Sequence, residues 1–241
     1  MGYNKLKRVG RGAKLYAVSD LHGHLEGLDP SGMDAVLIAG DFAVMNGWGE
    51  AHMAYQLWWV QDVFCKWCAT YPETMFFVVP GNHDLFAERK ELRKTIKWPD
   101  NVKLLVDEGC EFNGLSIYGT PWVPFINGSW AFEEVFPGHL KERFAAIPEK
   151  LDILITHSPP RIRRRKIDVS IDTNSAHFGS ADLTDAIMRN RPRLVLCGHI
   201  HTGDHGLIEL EHDDGAKTLL RNVSRLDEEY KVRYEPYIFK V

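Results

Sequence analysis

The sequence predicts an α/β fold, a mixed-sheet β-sandwich flanked by helices, in a single domain spanning residues 1–241. Three observations carry this expectation. Short apolar runs of strand length alternate with helical patterns, an Asn-Gly pair separates two apolar runs, and further strand-like runs follow the last helical pattern. The first gives a layered α/β arrangement, and the second requires some strands to be antiparallel.

The apolar runs are Lys14 to Ser19, Asp34 to Ala39, Met75 to Val79, Leu151 to Thr156 and Leu194 to Cys197. Each is rich in β-branched, aromatic or leucine side chains and too short for a core helix. Between them, Glu50 to Ala69 repeats apolar residues at mixed i, i+3 and i+4 spacing, which predicts a helix. Ala181 to Arg189 reads as a second helix, with Ser180 placed to cap it. Asn113-Gly114, within Glu111 to Tyr118, supplies the two positive-φ residues of a tight hairpin. Gly206 to Leu210, Thr218 to Val223 and Tyr237 to Val241 add strands after the second helix. Repeats, low-complexity tracts and an evident linker are absent.

Composition sets limits. With 241 residues and 44% hydrophobic side chains, a chain can bury roughly 70–75% of its unfolded surface, so no staple is needed. The formal charge of -4 excludes a wholly basic nucleic-acid-binding surface. Met1 to Val18 has scattered Lys and Arg and no long apolar run, which predicts a cytoplasmic protein without a membrane partner. Cys65, Cys68, Cys110 and Cys197 make no dense disulfide framework; Cys65 and Cys68 form a C-x-x-C pair in a helical stretch that lacks a partner pair and reads as ordinary half-buried cysteines.

Chemistry collects past the strand ends, where open α/β sheets place their binding crevices. Asp20 and His22 follow the first strand, Gly40-Asp41 the second, Gly81-Asn82-His83-Asp84 the third, His157 the fourth, and Gly198-His199-Ile200-His201 the fifth. A single Asp or His at such a place is more often a turn former. Five strand ends that all supply oxygen or nitrogen donors point instead to a metal centre. Four imidazoles, two carboxylates and an amide suit borderline first-row ions, with Mn²⁺ preferred over Fe or Zn. Seven donors exceed one tetrahedral site and fit two divalent ions if one carboxylate bridges them.

The ordered set D-x-H, G-D, G-N-H-D, a lone His after a strand, and G-H-x-H resembles the calcineurin-like metallophosphoesterases. By that resemblance Asp20, His22 and His201 hold one ion, Asn82, His157 and His199 hold the other, Asp41 bridges them, and His83 faces substrate. The stretches Ile117 to Gly128 and Asp152 to Pro160 are similar to the small metallophosphoesterase-domain-containing subgroup, whose members are associated with phosphodiester hydrolysis, including that of cyclic nucleotides. One departure stands out. Asp41 is followed by Phe42-Ala43-Val44, without the D-R-G arginine of phosphoprotein phosphatases.

The expected activity is therefore phosphodiester hydrolysis, on cyclic or other nucleotides, by a hydroxide held between two ions. His83 would be the general acid or a hydrogen-bond donor, with Asp84 orienting it. A nuclease and a phosphomonoesterase on protein or small-molecule substrates are the alternatives. The substrate partner is a small-molecule phosphodiester or nucleotide, with nucleic acid second; Arg161, Arg163, Arg164, Arg165 and Lys166 would steer it or form a solvated loop. Trp122, Phe125, Trp130 and Phe132 either stack a nucleobase or belong to the core. His24 is expected to face solvent.

Overall fold

Apolar strands alternate with amphipathic segments along this chain because each sheet must bury one face on the other sheet and one face on helices. The computed structural model describes residues 12–45, 47–162, 169–172 and 176–241. The first sheet begins with three parallel strands, β1 (Lys14–Val18), β2 (Ala35–Ala39) and β3 (Met75–Val79), and continues to β4 (Val102–Leu104). The second contains β5 (Glu108–Phe112), β6 (Leu115–Thr120), β7 (Ile153–Thr156), β8 (Leu194–Cys197), β9 (Ile208–Glu211) and β10 (Lys217–Asn222), in the order β5-β6-β7-β8-β10-β9. The last strand, β11 (Tyr237–Lys240), returns to the first sheet and pairs antiparallel with β1.

Period-two alternation sorts the side chains. Leu15, Ala17, Leu37, Phe77 and Val79 of the first sheet join Ile117, Ile153, Ile155 and Leu196 of the second in one buried layer. The alternate residues, Tyr16, Val18, Val36, Ile38, Phe76 and Val78, pack with Trp59, Val60 and Phe64 on the helical side. This is the predicted sandwich flanked by helices. The predicted hairpin is present, with Asn113 at φ 50 and Gly114 at φ 83 joining β5 to β6.

The long helix takes an unpredicted form. It runs as α1 (Gly49–Trp59), a π turn (Val60–Phe64) and α2 (Cys65–Ala69), with helical backbone across both junctions. Gln56, Val60, Phe64 and Cys68 recur every fourth residue, a spacing that drifts around a regular α-helix. The wider π turn offsets that drift and keeps all four buried. Three short helices follow elsewhere, α3 (Leu85–Glu88), α4 (Lys90–Arg93) and α5 (His139–Phe144), before α6 (Ala181–Asn190). Ser180 caps α6 as predicted, its Oγ accepting the Leu183 N–H at 3.2 Å. The sequence reading missed β4 and α3 to α5, which are too short to show a hydrophobic period.

The sheets meet at the carboxyl ends of their parallel strands. Ser19 donates its N–H to Val223 O at 2.8 Å, and its own carbonyl accepts the Arg225 N–H at 3.0 Å. That junction is the floor of the site. All four cysteines are buried free thiols, and no described helix is long and apolar enough to cross a membrane.

Candidate metal centre

The five predicted strand ends converge at this junction. Backbone bonds continue the ladders past the strands: Asp20 N–H to Gly40 O at 3.0 Å, His22 N–H to Asp41 O at 2.8 Å, and Gly198 N–H to His157 O at 3.1 Å. Asp20, His22, Asp41 and His199 adopt φ of 53, 42, 51 and 70, the left-handed region that costs a non-glycine residue about 1–2 kcal/mol. Four such residues in one cluster show a backbone held in place by its surroundings to aim side chains at a common point. Glycine permits the close approach. A Cβ on Gly40 would lie 2.0 Å from His157 Nδ1, and one on Gly81 would lie 2.2 Å from Asp41 Oδ1.

Three overlapping groups result, Asp20 with His22 and His201, His22 with Asp41 and His83, and Asp41 with His157 and His199. Asp41 stands at the centre. Its Oδ2 lies 3.2 Å from His157 Nε2, 3.7 Å from His22 Nε2 and 4.0 Å from His83 Nε2. Asn82 joins through its Oδ1, 2.9 Å from His157 Nε2. His201 Nε2 lies 3.4 Å from Asp20 Oδ1. Thus Asp20, His22, Asp41, Asn82, His157, His199 and His201 are brought together, and His83 with them. His24 is half-exposed and faces Glu26, at the rim of a small hollow it shares with His22, Met45 and Tyr230.

Outer bonds set the tautomers, because a carbonyl can only accept. His157 Nδ1 donates to Ala39 O at 3.0 Å and His201 Nδ1 to Asp227 O at 2.9 Å, so each turns Nε2 toward the carboxylates. Asp20 accepts the His199 N–H at 3.1 Å and the Ser224 hydroxyl at 2.7 Å. Burial disfavours charge on Asp20 and Asp41, but His201 beside the first and His157 beside the second outweigh it and hold both carboxyls well below the usual range. Burial likewise opposes charge on His157 and His201, yet the carboxylates raise both to about 9. Burial lowers His22 and His199 to about 3, leaving neutral rings.

This arrangement fits divalent cations. Both ring nitrogens of His22 are buried without a hydrogen-bond partner, an arrangement that costs free energy unless another ligand engages them. Anionic carboxylates, an amide oxygen and four imidazoles, neutral at His22 and His199 and made available at His157 and His201 when an ion displaces their protons, are the donor set that borderline ions prefer.

Asp84 departs from the expectation that it orients His83. Its buried carboxylate accepts backbone N–H groups instead, from Gly81 at 2.7 Å, Ala43 at 2.8 Å and Phe42 at 3.3 Å. Burial, then repulsion from Asp41, raises it to about 7. Its place is between two loops, tying the one that carries Asn82 and His83 to the one that carries Asp41. The sequence position alone could not reveal this, since the partners are 41 and 42 residues away.

His83 is held at its backbone by Asp41 Oδ1, which accepts its N–H at 2.8 Å, and by Gln56 Nε2, which donates to its carbonyl at 2.7 Å. Burial lowers the pKa of the ring, with Asp41 opposing. The ring lines a cleft of about 320 Å³ together with Asp41, His199, His201, Ile126, Phe178 and Tyr230. Trp122 and Phe132 are core residues, Phe125 is exposed in a separate hollow with Val135 and Phe136, and none of the four predicted aromatics lines this cleft. Arg163, Arg164, Arg165 and Lys166 lie outside the described residues, and Arg161 does not line the cleft.

Ser224, Asp227 and Tyr230 complete the surroundings and were not anticipated. The Tyr230 ring stands perpendicular to His22 and His201, with centroids 4.9 and 5.5 Å away. The available signal was positional. These residues follow β10, a parallel strand that ends at the same edge as the five strands already noted.

Comparison with known proteins accords with this geometry. The profile of the family described as calcineurin-like phosphoesterase matches residues 13–203. Metallophosphoesterase domain-containing protein 1 of Homo sapiens is 28% identical over 213 residues, covering 79% of this chain and 61% of that protein. A UPF0046 protein of Caenorhabditis elegans is 24% identical over 241 residues, covering 95% of this chain and 75% of its own. The chain thus spans about three fifths of the human relative's length. A solved crystal structure shares the fold with a TM-score of 0.60 at 14% identity, over 95% of this chain and 99% of that one. With the family profile matched from the first strand through the G-H-x-H turn, the chain belongs to the calcineurin-like phosphoesterase family.

Proposed function

We propose that this chain is a metal-dependent phosphodiesterase, acting on cyclic or other nucleotides or on small phosphodiesters of similar size. The observation that carries the reading is the position of Asp41, within 4.0 Å of histidines on either side. Asp20, His22 and His201 would hold one ion, Asn82, His157 and His199 the other, and Asp41 both, with Mn²⁺ preferred and Fe or Zn as alternatives. Such ions, when bound, supply Lewis-acid polarisation of phosphoryl oxygens and acidify water. His83, on the cleft wall, donates a hydrogen bond or a proton to the leaving oxygen. Asp84 fixes the spacing of the loops beneath it.

The lining supports a diester over a monoester. Among the described residues that line the cleft there is no Lys or Arg, whereas Asp172 and Glu228 do line it. A monoester dianion would lack the bidentate cationic partner that an arginine after Asp41 would provide. Four buried thiols favour a reducing, cytoplasmic setting. The test compares kcat/KM for bis-p-nitrophenyl phosphate and p-nitrophenyl phosphate with Mn²⁺. The diester is expected to be preferred, and a monoester preference of about tenfold, roughly 1.4 kcal/mol of transition-state binding, overturns the reading. A nuclease would instead cleave single-stranded DNA with a steep salt dependence.

A further inference from the structure

Trp130 is neither in the core nor on the cleft wall. Its ring centroid lies 4.1 Å from that of His83, tilted by 40°, and Trp48 packs on it in turn at 4.1 Å. His83 lines the cleft, and the indole packs on its ring. The loop that presents it is tied down at several points. Ala131 donates its N–H to Asn82 O at 3.1 Å, beside His83 itself, and Phe132 donates to Glu88 Oε1 at 2.9 Å. The Glu133 carboxylate accepts the N–H groups of Asn127 and Gly128.

His83 needs such support. The bonds to Asp41 and Gln56 fix only its backbone, which leaves the two side-chain torsions to be set by ring contacts. Those contacts are the Met45 sulfur at Nδ1, Asp41 Oδ2 at 4.0 Å from Nε2, the His22 ring at 4.8 Å and perpendicular, and the Trp130 ring at 4.1 Å. His22 belongs to the metal cluster and Met45 is an unbranched, adaptable side chain. Trp130 lies outside that cluster and offers a broad planar ring backed by Trp48. We propose that Trp130 is a positioning residue that fixes the His83 imidazole with Nε2 toward Asp41 and the cleft. The inference rests on the reading of His83 as the donor to the leaving oxygen.

The experiment is a double-mutant cycle on the full chain loaded with Mn²⁺, with bis-p-nitrophenyl phosphate as substrate. His83→Ala should slow turnover about 10²–10⁴-fold with metal content retained. Trp130→Ala should lower kcat about 10–100-fold, the usual cost of a small misplacement, with KM and metal content unchanged. Trp130→Phe should recover most of that loss. In the His83→Ala background, Trp130→Ala should cost nothing further, because the two act as a unit. Full loss in that background, or a raised KM with kcat intact, overturns the proposal. If His83→Ala is itself fully active, the role of His83 fails first and the proposal with it. A second readout needs neither metal nor turnover: nuclear Overhauser contacts between the His83 and Trp130 rings in the metal-free protein are expected, and their absence overturns the proposal. Trp130→Leu serves if the alanine variant does not fold.

Discussion

At the scale of single residues, Asp41 and Gly81 bear the most directly on metal binding. Asp41 is buried between His22, His83 and His157, and removing its charge withdraws the anion nearest to all three. Asp41→Asn is therefore expected to lower occupancy of both ions and remove nearly all activity. Metal counting on the purified variant checks this, and two retained equivalents would refute a shared carboxylate. Gly81 makes a subtler case. An added methyl would meet Asp41 Oδ1 at 2.2 Å and His157 Nε2 at 2.7 Å, distances no Cβ tolerates. Gly81→Ala should thus displace Asp41 and reduce metal content and turnover together, by about a hundredfold in kcat/KM. Full metal content with normal turnover would show that the loop yields without cost. The strained φ values at Asp20, His22, Asp41 and His199 belong to this scale too, and none could be assigned from residue type alone.

At the scale of elements, Asp152 joins three strands of the second sheet. Its carboxylate accepts the Ser116 N–H at 2.9 Å and hydroxyl at 3.0 Å on β6, and Arg193 Nη1 at 2.8 Å just before β8. Partial burial works against its charge, but the Ser116 N–H and Arg193 prevail and lower its pKa. A carboxyl with a lowered folded pKa adds stability above its unfolded pKa of about 3.9, and loses it as pH falls through the folded value. Asp152→Asn is expected to cost about 1 kcal/mol at pH 7, since solvent near Arg193 screens the pair. The difference from the unaltered protein should shrink in urea titrations taken below pH 4. A cost that persists undiminished at low pH would assign the effect to packing. Elements long enough to show a period, such as the strands at Lys14, Ala35 and Met75 and the helix from Ala181, were legible in the sequence. The π turn at Val60–Phe64 was not, because it offsets a drift that exists only against a packed neighbour.

At the scale of the whole molecule, the gathered metal-capable side chains come from both sheets. Asp20, Asp41 and Asn82 follow strands of the first, while His157, His199 and His201 follow strands of the second. Bound ions would clip the sandwich shut along one edge. Thermal unfolding should accordingly shift upward on adding Mn²⁺, with about 2.7 kcal/mol expected at a hundredfold excess over Kd, and fall back with chelator. Asp41→Asn should lose most of the shift. An unchanged midpoint with and without metal, in protein shown to bind it, would mean that the ions bind the unfolded chain about as tightly as the folded one and do not hold the two sheets together.

By itself the sequence determined the fold class, the hairpin at Asn113-Gly114, the cap at Ser180 and which Asp, Asn and His side chains gather at one edge of the sheets. These depend on local periodicity, on turn chemistry and on the rule that sheet ends carry the chemistry, all of which operate within a few residues. Tertiary structure alone decided that Asp84 ties two loops instead of orienting His83, that Trp130 backs His83 while Trp122 and Phe132 fill the core, and that Ser224, Asp227 and Tyr230 surround the centre. The physical reason is separation along the chain. A carboxylate or an indole has the same local propensities whether its partner is three residues away or two hundred, and only the packing of the two sheets selects which partner it meets.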